Sequence, residues 1–191
     1  MAEILTPPIE GKMPELDLAL EAAMKAGDAI MAVYATDFKI DTKGDDSPIT
    51  EADLVSNRII KEVLGKSDHY ILSEEDKDDK TRLKEKAIWI VDPLDGTSDF
   101  VGRTGEFTVM IALVQDKMPV IGVINWPVEK TVFVAQKGKG TFRFFDGSWG
   151  KISVSNTTDL KQCKAVGSRN HLSDEEKSLI EKLEIPDFSS I

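Results

Sequence analysis

The sequence has little cysteine and histidine and no long apolar run. Cys163 is the only cysteine among 191 residues, which excludes an internal disulfide and a zinc site built from several cysteines. His69 and His171 are far apart and lack the spacing of metal ligands. No apolar run approaches the roughly 20 residues that a membrane-spanning helix needs, and the first residues are too acidic and polar for a secretion signal. These absences predict a cytoplasmic protein with no membrane partner.

Basic residues are also in the minority. The chain has 24 Lys and Arg residues against 34 Asp and Glu residues, a formal net charge of −10. An acidic surface repels phosphate backbones, so no nucleic-acid partner is expected. Acidic proteins still act on small phosphates where divalent cations reverse the local charge. The placement of the carboxylates therefore has to indicate the function.

The hydrophobic pattern predicts two helices near the start of the chain. Residues 16–34 place apolar side chains at helical spacing. A second helix is predicted to begin at Thr50, with Thr50 as its N-cap and Asp53 closing a capping box. A helix capped by Ser173 is predicted near the end of the chain.

Strands make up most of the remainder. The short apolar run 87–91 is typical of a central strand buried on both faces, and it is predicted to end at Asp92-Pro93. The other strand predictions are 70–72, an antiparallel meander within 107–155 and 164–167. Helices followed by a largely antiparallel sheet indicate an α+β class with layered architecture. We expect a catalytic domain over 1–160 and the start of a second α/β half over 161–191.

The segment Trp89–Thr97 (WIVDPLDGT) is the first candidate site. Asp92 and Asp95 lie close together where a strand meets a turn, so they would repel unless cations lay between them. The Leu94 carbonyl adds another hard oxygen of the kind that Mg²⁺ prefers, and the amides after Gly96 suit a phosphate. The alternative is an ordinary Asp-Pro turn whose carboxylates cap backbone amides.

Two further acidic positions have both a structural and a functional interpretation. Glu74 follows the strand at 70–72, but it also begins a charged loop, and the local pattern alone favours a solvated loop carboxylate. Asp53 caps its helix, although an Asp fixed there can also orient a hydroxyl.

Three segments in this order resemble the inositol monophosphatase superfamily of magnesium-dependent, lithium-sensitive phosphatases. They are SPITEAD at 47–53, LSEE at 72–75 and WIVDPLDGT at 89–97. Within it, LSEED at 72–76 and VGSRNH at 166–171 look most like the 3′(2′),5′-bisphosphate nucleotidases. That resemblance implies removal of the 3′-phosphate of adenosine 3′,5′-bisphosphate, a by-product of sulfate assimilation, to give AMP and phosphate.

The resemblance implies roles residue by residue. Two or three Mg²⁺ ions would be held by Glu74, Asp92, the Leu94 carbonyl and Asp95. Thr97, oriented by Asp53, would act with Glu74 on the attacking water. Substrate contacts are implied for Glu74, Leu94, Asp95, Gly96, Thr97, Ser168 and His171. The partner would be a small phosphorylated metabolite, and since relatives often form dimers, the resemblance favours a homodimer.

The chain also departs from the family. Relatives continue into a second C-terminal α/β half with a Trp-Asp motif that supplies a further metal ligand, and no such motif occurs here. The expected fold is therefore inositol monophosphatase-like with that half missing. Hydrolysis of inositol 1-phosphate or fructose 1,6-bisphosphate by the same core stays open. A catalytically weak fragment that only binds metal or phosphate is the remaining alternative.

Overall fold

The structure, a computed structural model, describes residues 5–42, 48–168 and 172–190. The chain divides into two compact units, Met1–Ile152 and Ser153–Ile191. The expected boundary between residues 160 and 161 lies a little further along the chain and stays a prediction.

Three α-helices lie in the described part of the first unit. They are α1 (Pro14–Tyr34), α2 (Glu51–Leu64) and α3 (Thr97–Val101). The helix α1 starts without a side-chain cap, and a proline occupies its first turn, where no intrahelical N–H bond is lost. The helix α2 has the predicted capping box between Thr50 and Asp53. No helix among the described residues is long and apolar enough to cross a bilayer.

The main sheet of the first unit has seven strands in the order of the chain, and a separate hairpin of β1 and β2 precedes it. The strands are β1 (Ile40–Thr42), β2 (Pro48–Thr50), β3 (Tyr70–Ser73), β4 (Ala87–Asp95), β5 (Thr108–Gln115), β6 (Met118–Trp126), β7 (Thr131–Gln136), β8 (Gly140–Phe145) and β9 (Ser148–Ile152). Strands β3 and β4 are parallel, and every later pair is antiparallel. The predicted meander is confirmed. The single parallel pair puts the carboxyl ends of β3 and β4 at the same edge.

The core lies between one face of this sheet and the helices. Leu16, Leu20 and Ile30 of α1 are fully buried there, as is Trp89 of β4. The helix α1 packs against α2 and against β5 and β6. This layer of helices on an antiparallel-rich sheet confirms the α+β class.

Two expectations for β4 were wrong. The strand alternates between buried and more exposed positions, and Ile90 is 42% exposed, so it is not buried on both faces. It also does not end before Pro93. The pairing with β5 shifts register between Asp92 and Asp95 and then resumes, because a bulge absorbs the residue that lacks an N–H donor.

The second unit is small. It pairs β10 (Lys164–Gly167) with β11 (Asp187–Ser190) in parallel, joined through α4 (Asp174–Lys182). Ser173 caps α4 as predicted, and its capping box with Glu176 is complete.

Candidate metal and phosphate site

The parallel pair β3 and β4 brings Glu74 next to Asp92. Ser73 lies opposite Val91 in the parallel register, so the next residues of the two chain segments, Glu74 and Asp92, also lie opposite each other. The Glu74 amide extends the pairing by donating to the Val91 carbonyl at 3.0 Å. Two carboxyl residues that are far apart in sequence therefore occupy neighbouring positions, one just after β3 and the other at the bulge of β4.

Electrostatics show that these carboxyls influence one another. Burial raises the pKa of Asp92 to about 7, and the negative charges of Glu74 and Asp95 add to this rise. The pKa of Asp95 is also raised, first by desolvation of its carboxyl and then by Glu74, although the residue as a whole is exposed. The three groups thus concentrate negative charge at one edge of the sheet.

The bulge in β4 determines how the next oxygen atoms are placed. The Leu94 amide donates to Asp92 Oδ1 at 3.2 Å, and Asp95 resumes pairing opposite Thr108. The Leu94 carbonyl lies 3.2 Å from Thr97 Oγ1. The Asp92 and Asp95 carboxyls and the Leu94 carbonyl therefore belong to a single irregularity of the strand.

Asp53 connects α2 to this edge. Its side chain is fully buried, and its Oδ2 accepts hydrogen bonds from the amide and the hydroxyl of Thr50, both at 2.7 Å. Its Oδ1 accepts a bond from the Thr97 hydroxyl at 3.0 Å. The structural and the functional interpretation of Asp53 are therefore compatible, because one oxygen caps the helix and the other orients Thr97.

Gly96 is required by the backbone itself. Its φ of +87° lies in the left-handed region, and a Cβ there would stand 2.7 Å from the Glu106 carbonyl oxygen. The close approach of the chain at 106–107 therefore accounts for the glycine without a ligand. The residue turns the chain from β4 into α3, whose Phe100 is buried and anchors the helix.

Sequence reasoning missed two buried polar residues of α2. The Ser56 hydroxyl donates to the Pro93 carbonyl at 2.7 Å. Asn57 Oδ1 accepts from the Ser73 hydroxyl at 2.8 Å, and its Nδ2 donates to Asp76 Oδ1 at 3.3 Å. The available signal was their spacing, since residues three and four positions after Asp53 lie on the same face of a helix.

Two other predicted substrate residues lie away from these elements in the chain. Ser168 follows β10 in the second unit and is exposed. His171 lies outside the described residues. Their role as substrate contacts stays a prediction.

The donor set at the edge fits a hard divalent cation. Glu74, Asp92, Asp95 and the Leu94 carbonyl offer only oxygen, which Mg²⁺ prefers over nitrogen and sulfur ligands. Within the described ranges, no three His, Cys, Asp or Glu side chains have converged into a ready-made metal site. Burial first, and then the charges of Glu74 and Asp95, raise the pKa of Asp92, and a bound cation would offset that repulsion.

We call the segment formed by Glu74 and residues 92–95 the carboxylate edge. It borders an open groove. The groove has a volume of about 680 Å³ and lies on the first unit's sheet, over β3 to β6. Glu74, Asp76 and Asp92 are among its acidic lining residues, while Ile90 and Met110 are among its apolar ones. A small molecule therefore has room beside the carboxyls.

Known proteins share both the sequence and the fold. Residues 13–185 match the profile of the inositol monophosphatase family. The 3′(2′),5′-bisphosphate nucleotidase CysQ of Salmonella typhimurium is 38% identical over 173 residues, which cover 88% of this chain and 69% of that protein. CysQ of Escherichia coli K12 is 36% identical with the same coverage.

Solved structures agree. The crystal structure of CysQ from Bacteroides thetaiotaomicron matches with a TM-score of 0.77 and 35% identity, over 93% of this chain and 71% of that one. An IMPase from Thermotoga maritima has the same TM-score at 26% identity, over 93% and 68%. The fold is the layered, mixed α/β fold of these phosphatase structures. The chain belongs to the inositol monophosphatase family, and it is a metal-dependent phosphatase of that family.

Proposed function

We propose that this protein is a Mg²⁺-dependent phosphomonoesterase that removes the 3′-phosphate of adenosine 3′,5′-bisphosphate, giving AMP and phosphate. The observation that carries this proposal is the similarity to CysQ nucleotidases over 88% of the chain, at up to 38% identity. The parallel ends of β3 and β4 support it, because they present Glu74 and Asp92 together.

We propose that Glu74, Asp92, Asp95 and the Leu94 carbonyl hold the metal. Their oxygens are hard donors at the end of β3 and in the bulge of β4. Burial and the charge of Glu74 raise the pKa of both Asp92 and Asp95, as is common where acidic groups are gathered at a functional site. Bound Mg²⁺ would neutralise charge on the phosphoryl oxygens and on the leaving oxygen. The number of ions is proposed to be two or three.

The chain's own residues would prepare the attacking water. The Thr97 hydroxyl donates a hydrogen bond to Asp53 Oδ1 at 3.0 Å. The lone pairs of the Thr97 oxygen are therefore left to accept a hydrogen bond from that water. Glu74 would accept the water's proton. Asp53 cannot turn away, since its other oxygen is held by two bonds from Thr50.

The reaction is an in-line hydrolysis. The water oxygen forms a bond to phosphorus, the bond from phosphorus to the 3′-oxygen breaks, and that oxygen takes up a proton to become a hydroxyl. The amides of Gly96 and Thr97 are proposed to hold the phosphate, with Ser168 and His171 as contacts to the nucleotide.

The test is phosphate release from adenosine 3′,5′-bisphosphate with and without Mg²⁺ and with added Li⁺. We expect release that depends on Mg²⁺ and is suppressed by Li⁺. If no phosphate is released although calorimetry detects binding of Mg²⁺ and nucleotide, the proposed activity is overturned. The chain is then a fragment that binds metal and nucleotide without hydrolysing it. Faster turnover of inositol 1-phosphate or fructose 1,6-bisphosphate would overturn the nucleotide assignment in favour of a sugar phosphatase, an alternative that the Thermotoga maritima likeness supports.

A further inference from the structure

Three polar side chains on one face of α2 each bind a different segment of the carboxylate edge. Asp53 binds Thr97 at the start of α3, and Ser56 binds the Pro93 carbonyl inside the bulge. Asn57 binds Ser73 and Asp76, which flank Glu74 on both sides. The helix therefore contacts all the segments that bear the proposed ligands.

We propose that Ser56 and Asn57 are positioning residues that set the spacing between Glu74 and the ligands on the β4 bulge. This inference rests on the proposed function, because spacing matters only if a cation bridges the two strand ends. Neither side chain is offered as a ligand. Each acts through the backbone or side chain that it binds.

Burial makes the Ser56 contact a specific one. Ser56 is fully buried, and its bond to Pro93 is only 2.7 Å long. Pro93 lies between Asp92 and Leu94, so a hydrogen bond that holds its carbonyl also restrains the backbone orientation of both neighbours within the bulge. A buried carbonyl that lost this donor would be left unsatisfied, and the bulge would shift to find another partner.

The Asn57 contacts hold the other strand end. Ser73 is buried and Asp76 is partly exposed, and Asn57 bridges them across the turn that carries Glu74. The Asp76 amide donates to the Ser73 carbonyl at 3.2 Å, and Lys61 of α2 holds Asp76 Oδ2 at 2.6 Å. The turn is thus tied to α2 at both ends, and these bonds restrain the backbone of Glu74 between them.

The experiment measures Mg²⁺ binding to the purified protein by calorimetry, without substrate, in the Ser56→Ala and Asn57→Ala variants. Each change should weaken Mg²⁺ binding by about tenfold or more, because residues that orient metal ligands are worth about 10–100-fold in metal affinity. In the activity assay, the Mg²⁺ concentration for half-maximal rate should rise by a similar factor. The rate at saturating Mg²⁺ should change much less.

Matched controls separate positioning from loss of stability. The Asn125 amide is buried and donates to the Ala23 carbonyl at 2.8 Å, and the Ser67 hydroxyl accepts from the Trp89 indole at 2.9 Å. Asn125→Ala and Ser67→Ala also remove hydrogen bonds, but neither touches the bulge at 92–95 or the turn at 73–76. They should lower the melting temperature and leave Mg²⁺ affinity unchanged.

Several outcomes would overturn the proposal. Wild-type affinity in Ser56→Ala and Asn57→Ala would do so, and so would equal losses in the controls. If Asn57→Ala does not fold, Asp76→Asn provides the second test, since it weakens the same bridge from its more exposed end and should weaken Mg²⁺ binding in the same direction. Absence of Mg²⁺ binding by the unmodified protein would instead overturn the proposed function.

Discussion

The two long helices bury different chemistry against the same sheet. The buried positions of α1 are all apolar or small, namely Leu16, Ala19, Leu20, Ala22, Ala23, Ala26, Gly27 and Ile30. The helix α2 buries Ala52 together with the polar residues Asp53, Ser56 and Asn57 in its first half, and its larger apolar residues Ile60, Val63 and Leu64 come towards its end. One helix buries only apolar or small residues, and the other buries polar residues in its first half and large apolar residues in its second.

This difference separates stability from site geometry. Apolar burial is non-directional and roughly proportional to area, so it stabilises α1 without specifying any particular contact. A buried polar group is costly unless it is hydrogen-bonded, so each polar residue of α2 has to meet a defined partner. We therefore expect substitutions in α1 to change stability, and substitutions along the polar face or its partners to change function.

The largest effect on activity is expected for a substitution of a proposed metal ligand in the β4 bulge. Asp95→Asn removes a ligand charge and almost no volume, so activity should fall by more than about 100-fold, beyond the range found for residues that merely orient ligands. The melting temperature should stay near that of the wild type. Phosphate release and thermal unfolding would measure both, with Asp116→Asn in the β5–β6 turn as the acidic control. Activity within a few fold of wild type would refute the role of Asp95.

The next effect concerns the hydroxyl that Asp53 orients. Thr97→Ala should lower the catalytic rate by about 100-fold, the lower end of what a positioned acid–base group contributes, while Mg²⁺ affinity is retained. Thr97→Ser keeps the hydroxyl and should recover most of the rate. Rate measurements at saturating Mg²⁺, together with calorimetry, would check both variants. If the alanine variant were as fast as the serine variant, the hydroxyl would have no part in the reaction.

A substitution in α1 should have the opposite profile. Leu20 is fully buried, so Leu20→Ala should lower the free energy of unfolding by about 2–5 kcal/mol. The rate at saturating Mg²⁺ and the Mg²⁺ affinity should be unchanged at a temperature where the variant is folded. Denaturant unfolding and calorimetry would test this. A loss of Mg²⁺ affinity like that expected for Asn57→Ala would break the distinction between the two helices.

The smallest expected effect is the number of protons that the protein releases when it binds Mg²⁺. Because the pKa of Asp92 is raised to about 7 in the metal-free protein, the carboxyl is largely protonated at pH 6 and must lose its proton to bind a cation. Mg²⁺ binding should release close to one proton from Asp92 at pH 6 and almost none at pH 8.5. Calorimetry in buffers of different ionisation enthalpy measures this release, and Asp92→Asn should remove it. Equal release at the two pH values would contradict the raised pKa.

The same group affects stability with a defined sign. Its folded pKa of about 7 lies above its ordinary value of 3.8, so the folded state binds the proton more tightly than the unfolded state. The stabilisation from Asp92 is therefore full below pH 3.8 and is lost as the pH rises through about 7. Comparing metal-free wild type with Asp92→Asn across this range would reveal it.

Much of the fold could be predicted from local signals. The capping box at Thr50 and the meander after residue 107 depend on short patterns of side-chain type and alternation. The two errors in β4 have different causes. A bulge lets the pairing with β5 resume after Pro93. Burial on a second face depends on what packs there and not on the run of apolar residues. Ile90 is as apolar as a core residue and is nevertheless 42% exposed.

The sequence predicted the candidate site only at positions whose side chains could themselves bind a metal or take part in the reaction. Asp92 and Asp95 carry charge where a strand meets a turn, so their local pattern predicted a metal site, whereas Glu74 became a candidate through the family resemblance. Ser56 and Asn57 are uncharged polar residues whose importance depends on partners in other elements, and no local pattern names those partners. The two side chains that hold the site together are therefore the ones that sequence reasoning missed.

The contacts of α2 also bear on the order of folding. Asn57 and Ser73 are 16 residues apart in the chain, Ser56 and Pro93 are 37 apart, and Asp53 and Thr97 are 44 apart. The entropy of loop closure grows with the length of chain enclosed, so the Thr97 contact is the costliest to form from an unfolded chain. In a partly folded chain in which α2 has formed but β4 has not yet packed against it, the turn that carries Glu74 can be in place while the ligands of the β4 bulge are not. A cation that needs both ends binds only after docking, and it then draws the folding equilibrium towards the native state.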